Sequence, residues 1–176
     1  MKFFLTLVII FTIFSSAVFA GERYIYDKGG KIKFSLITPD GWEVNSKKGN
    51  GVILSLTGPT EKSFTVKINI MIDKINNTTL DEYIKTVHAT FKNPPPIYKE
   101  INILSEHTVT VNRIQRYEAV IDYILNMEGK NLGSRTMETI IIKDGVAFII
   151  IGSAMENNFS KYEGIFKGVS DSFKFE

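Results

Sequence analysis

The run from Phe64 to Asp73 constrains this chain more than any other stretch. Phe64, Val66, Ile68, Ile70 and Ile72 alternate with Thr65, Lys67, Asn69, Met71 and Asp73. A period of two places the first set on one side of a strand and the second on the other, so the chain must supply something to cover one sheet face. Val52–Thr57 reads as a preceding strand ended by Gly58-Pro59. The link between the two is too short for a helical crossover, so the sheet begins as antiparallel hairpins. Earlier still, Lys31–Thr38 carries Ile32, Phe34 and Leu36 on one face, and Tyr24-Ile25-Tyr26 suits an edge strand or an ordered arm. The first of these strands runs into Pro39-Asp40-Gly41-Trp42. Proline at the second position and glycine at the fourth fit a type I turn. Trp42, the only tryptophan, is then expected on one face with Val44, with Glu43 on the other.

Two helices interrupt the strands. Thr79-Leu80-Asp81-Glu82 has the spacing of a capping box, in which the Thr79 hydroxyl and the Glu82 carboxylate each satisfy a free amide. Leu80, Ile84, Val87 and Phe91, with Tyr83 beside them, make its apolar stripe, and Asn93-Pro94-Pro95-Pro96 stops it and leads on as a stiff connector. A second helix is expected from Asn158, as N-cap, to about Asp171, with Phe159, Tyr162, Phe166, Val169 and Phe173 on its buried side. Between the helices, Ile101–Val111 is one bent strand or two short ones, and Asn112-Arg113 is a turn. Gln115–Leu125 alternates again, and Asp144-Gly145 joins Ser134–Lys143 to Val146–Ser153 as a tight hairpin. Ile140-Ile141-Ile142 and Phe148-Ile149-Ile150-Ile151 are apolar on both sides, the mark of central strands covered on both faces. The order strands, helix, strands, helix defines an α+β domain with a mostly antiparallel sheet.

Met1-Lys2, an apolar run from Phe3 to Phe14 and the small-residue end Ser15–Ala20 have the three parts of a secretory signal peptide. Residues 1–20 are therefore expected to be a leader cleaved after Ala20, and residues 21–176 a single domain in the periplasm or outside the cell. If the leader is kept instead, it is short for a membrane anchor and would be the only contact with the bilayer. The sequence has no cysteine, which excludes structural disulfides, thiol catalysis and Cys-ligated metals. A formal charge of +2 over 176 residues gives no basic stripe of the kind nucleic acid demands.

Phe34-Ser35-Leu36-Ile37-Thr38-Pro39-Asp40-Gly41-Trp42, the helix start Thr79–Ile84 and the ending Ser170-Asp171-Ser172-Phe173-Lys174-Phe175 together resemble the PsbP-like superfamily. The resemblance spans the mature chain as a pattern of strands and turns. It implies an α–β–α sandwich around the antiparallel sheet, and a binding or accessory module in place of an enzyme.

The candidate chemistry is sparse. His88 sits at the edge of the first helix, where neither Ile84 nor Lys92 offers a second ligand. Glu106 and His107 are adjacent on a strand and point to opposite faces. Glu118 and Asp122 share a face about 13 Å apart, too far for a glycosidase pair, and read as a solvated surface. No nucleophile elbow or phosphate loop is present. No catalytic residue, cofactor or metal site is therefore expected. Trp42 and Tyr98 are the candidate binding residues, Trp42 doubling as a plug at the end of the core. The function expected is non-catalytic binding of an envelope or secreted protein. The alternative is a carrier that holds a small apolar ligand between sheet and helix.

Overall fold

The computed structural model describes residues 21–176 apart from 28, 30, 31, 47, 48, 50, 112 and 128. The expected leader, residues 1–20, lies outside the described residues, as does Asn112 of the expected Asn112-Arg113 turn.

Ten strands and two α-helices follow one another as β1 (Gly21–Asp27), β2 (Lys33–Pro39), β3 (Glu43–Asn45), β4 (Val52–Glu61), β5 (Phe64–Lys74), α1 (Leu80–Phe91), β6 (Tyr98–Val111), β7 (Ile114–Met127), β8 (Lys130–Lys143), β9 (Val146–Met155), α2 (Phe159–Ser172) and β10 (Lys174–Phe175). Seven strands form one sheet in the order β3-β4-β5-β9-β8-β7-β6, and β1-β2-β10 form a second, smaller one. Every pairing among them is antiparallel.

The large sheet is covered on both faces, as the doubly apolar β8 and β9 require. On one side Leu80 and Tyr83 of α1 pack on Ile121, Ile140 and Ala147. On the other, Phe159, Tyr162, Phe166 and Val169 of α2 meet Ile68, Ile70 and Ile150, and Phe34 and Leu36 of β2 join the same core. Phe34 stacks between Tyr26 and Phe173, each ring centroid 4.9 Å away. The space between sheet and α2 is thus filled by aromatic side chains. Aromatic and aliphatic burial of this extent supplies the folding energy that disulfides provide in small disulfide-rich domains.

Local signals fail in four places for identifiable reasons. The turn after β2 is one residue later than expected: Trp42 N–H donates to Pro39 O at 3.2 Å, so Gly41 is the third residue. Its φ of +75° is the left-handed conformation that position needs in a type II turn, in place of type I. Gly58-Pro59 does not end β4, which continues to Glu61 with a register shift between Thr57 and Thr60. A bulge absorbs the proline where no ladder bond is required. Asn158 does not cap α2 through its side chain. It lies in the 3₁₀ turn Glu156–Asn158 and donates to Glu61, which also takes Lys161 and Tyr162. Val44 is 37% exposed, because β3 is a three-residue strand at the edge of the large sheet. The capping box of α1 forms as expected, with Thr79 Oγ1 accepting from Glu82 N–H and Thr79 N–H donating to the Glu82 carboxylate.

Candidate functional site

β6 is the outermost strand of the large sheet, and among the described residues no strand pairs on its outer side. Its register steps from Ile103↔Ile121 to Ser105↔Val120, so Leu104 has no opposite residue and forms a bulge. The extra residue resets the alternation. Glu106, opposite Ala119, falls on the α1 side together with Ile103, although the two are three positions apart. Apolar side chains stand in solvent along this edge: Ile103 is 37% exposed, Leu104 at the bulge 51%, and Ile97, just before the strand, 48%.

Polar clusters flank this edge on both faces. On the α1 side, Tyr117 Oη donates to Glu106 Oε2 at 2.7 Å, and His88 Nε2 lies 3.0 Å from that hydroxyl and 3.1 Å from the carboxylate. The trio ties α1 to β6 and β7. Burial, then the Glu106 carboxylate, push the Tyr117 hydroxyl far above its ordinary range, so it acts as a fixed donor. Tyr83 Oη bonds Asp73 at 3.2 Å and is pushed up to about 12, by burial first. Tyr123 Oη donates to Glu138 at 2.9 Å. Burial raises the Glu138 carboxyl, and the Tyr123 bond opposes it more weakly. Three tyrosine–carboxylate pairs therefore make the polar layer under and beside α1, a feature that no local spacing announces.

On the α2 side, Glu118 is only 4% exposed. Its Oε2 lies 3.6 Å from His107 and 3.7 Å from Lys167, and Lys167 also holds Asp171 at 2.9 Å. Arg116, 1% exposed, donates to Ser170 O at 2.9 Å. Asp122 is clamped by Arg135 through two bonds of 2.6 and 2.8 Å. The expectation of a solvated face for Glu118 and Asp122 is thus corrected. Side chains of the second half of α2 reach Arg116 and Glu118, and Arg135 of β8 holds Asp122; alternation alone cannot report partners that come from other elements. Glu106 and His107 do point to opposite faces, as adjacent strand residues should. Among the described residues no three His, Asp or Glu side chains converge closely enough to hold a metal.

Trp42 and Tyr98 are not brought together. Trp42 is half-buried beside β3, with its ring over Gly58, where an added Cβ would stand 2.6 Å from the indole. Tyr98 opens β6 at the opposite edge of the sheet and packs on Tyr123, with centroids 5.3 Å apart. Tyr98 adjoins the exposed apolar edge; Trp42 belongs to the packing between β4 and the turn.

This architecture is an antiparallel α+β sandwich with helices on opposite faces of one sheet. The PsbP family model matches residues 24–175, and the chain belongs to that family. Solved structures share the fold at low identity. The solution structure of cyanobacterial PsbP from Synechocystis sp. PCC 6803 superposes with a TM-score of 0.64 at 16% identity, covering 92% of this chain and 96% of that one. LpqN of Mycobacterium tuberculosis, described as involved in cell envelope biogenesis, gives 0.60 at 11% identity over 87% and 90%. The Saccharomyces cerevisiae Ran-binding protein Mog1p gives 0.57 at 12% identity over 89% and 96%. No curated protein sequence matches the chain.

Proposed function

We propose that this chain is an exported, non-catalytic module that binds an envelope or secreted protein along the β6 edge. The observation that carries the reading is the apolar group Ile97, Ile103 and Leu104, exposed on and just before a strand that pairs with no other strand on its outer side among the described residues. An extended segment of a partner can add its main-chain hydrogen bonds to such an edge and cover the three side chains with its own. The polar clusters support this role by holding β6 to α1 and α2. Tyr117 is held as a donor, and His88 is already engaged. The relatives lend support through their own descriptions, one as Ran-binding and one as acting in cell envelope biogenesis. Export rests on residues 1–20 read as a leader.

The test is a photo-crosslinking residue at position 104, compared with one at position 44 on the far edge, in native host cells. One predominant envelope protein should be captured from position 104 and not from 44. Reconstituted with purified domain, that protein should lose about tenfold or more in affinity on Leu104→Asp, as a central apolar contact would. Equal capture from both positions, or unchanged affinity of the variant, refutes the docking site. The intact mass of the mature protein should start at Gly21.

A further inference from the structure

We propose that a groove at one end of the sandwich binds a single-chain amphiphile with an anionic head, of the fatty-carboxylate class. The groove, about 920 Å³, opens between the β8–β9 turn, the end of β5 and the C-terminal strand β10. That volume is in the range of pockets that enclose small molecules. It lies between the two sheets' ends, away from the filled space beneath α2 and from β6.

Its floor is apolar. Val146 and Phe148 line it from β9 and Phe175 from β10, with the rings of Phe148 and Phe175 edge to face at 5.0 Å. Its rim is cationic: Lys33, Lys74 and Lys143 border it. Lys143 Nζ stands 4.4 Å above the Phe175 ring, which places its charge directly over the apolar wall. Two carboxylates also border the groove, Asp144 and Glu176. Glu176 is already engaged by Ser35 and Arg23, which hold its carboxyl below the usual range, the Ser35 bond most. Lys33 is shared with Asp27 at 3.3 Å. Lys74, Lys143 and Asp144 make no ion pair among the described residues, so after Asp144 is set against them the rim keeps a net unspent positive charge where an apolar floor begins.

The field extends beyond the groove. Two adjoining depressions of about 390 and 370 Å³ share Lys143 and Phe175 with it and add Arg113 and Lys174. The walls are fixed without a ligand. Ile75 N–H donates to Gly145 O at 2.9 Å, which ties the end of β5 to the β8–β9 turn, and Glu176 N–H donates to Lys33 O at 3.2 Å. A preformed apolar slot under two unpaired ammonium groups suits a molecule with one negative end and one hydrocarbon body.

The experiment measures displacement of a dansyl-labelled undecanoate from the purified protein by dodecanoate, kept below the concentration at which it forms micelles. Saturable, competitive binding is expected. The double variant Lys74→Glu/Lys143→Glu, at exposed positions, should weaken it about tenfold or more with an unchanged melting temperature. Lys74→Gln/Lys143→Gln provides the same comparison if charge reversal disturbs folding. Lys99→Glu on β6 and Leu104→Asp should leave binding unchanged, which separates this site from protein docking. Dodecyl maltoside, with the same chain and no charge, should bind at least tenfold more weakly. The proposal is overturned by any of three results: no saturable displacement, an affinity of both double variants equal to the parent's, or competition by acetate or the neutral amphiphile as effective as that by dodecanoate.

Discussion

Gly58→Ala tests the placement of the only tryptophan. A methyl group at position 58 would meet the Trp42 ring at 2.6–2.9 Å, well inside contact distance. Overpacking of this kind costs about 1–3 kcal/mol. The indole is half-buried and can tilt toward solvent, so the lower end of the range, about 1 kcal/mol, applies. Trp42→Ala alone should cost about 2–3 kcal/mol, less than the loss of a fully enclosed aromatic ring. The informative quantity is the double variant. With the ring gone the methyl at 58 has space, so Gly58→Ala in the Trp42→Ala background should be close to neutral. A favourable coupling of about 1 kcal/mol is expected from the cycle, measured by urea unfolding. Trp42 emission gives an independent reading, because the single indole should shift to the red when Gly58→Ala pushes it outward. Additive costs, with coupling within about 0.3 kcal/mol of zero, would refute the packing described and return Trp42 to the role of an exposed partner anchor.

Two further predictions concern the α1 face. Because burial raises the Glu138 carboxyl, the folded chain holds that proton more tightly than the unfolded chain does. Its contribution is fully present below the ordinary glutamate value and is lost as pH rises through the folded value. Glu138→Gln keeps the bond from Tyr123 without the charge, so the variant should be more stable than the parent at neutral pH. The gap in urea midpoint should close toward about pH 4; a gap independent of pH refutes the assignment. Thr79→Ala removes the cap of α1 and should cost about 1 kcal/mol, with Thr79→Ser restoring most of it in thermal unfolding.

The strands and helices were largely legible because their signals are local. Phe64–Asp73 alternates and is β5; Asp144-Gly145 closes the β8–β9 hairpin; Thr79 and Glu82 cap α1. The stripe Phe159, Tyr162, Phe166 and Val169 is the buried face of α2. The errors fall where two remote segments meet. Asn158 has the right identity for a cap, but Glu61, 97 residues away in sequence, draws its side chain elsewhere. The expected turn between β6 and β7 is, by contrast, present, and Arg113 takes a φ of +66° in it, at the cost expected of a side chain there. Of the candidate site, Tyr98 was visible as an aromatic residue, whereas the exposure of Ile103, and of Leu104 at the bulge, is encoded by no residue type at that place.

Period, capping and turn chemistry in the sequence alone determined that this chain makes an α+β domain with a mostly antiparallel sheet, and the family resemblance implied the sandwich with helices on both faces. The local signals act over a few residues, and each leaves its mark in neighbouring positions. Only the tertiary structure decided which polar groups are buried and which apolar ones are not. Glu118 and Arg116 lie beneath α2, Glu138 lies within the α1 face, and Leu104 stands in solvent. Alternation says that two sets of side chains oppose each other across a strand. What covers each set comes from elements brought in from far along the chain.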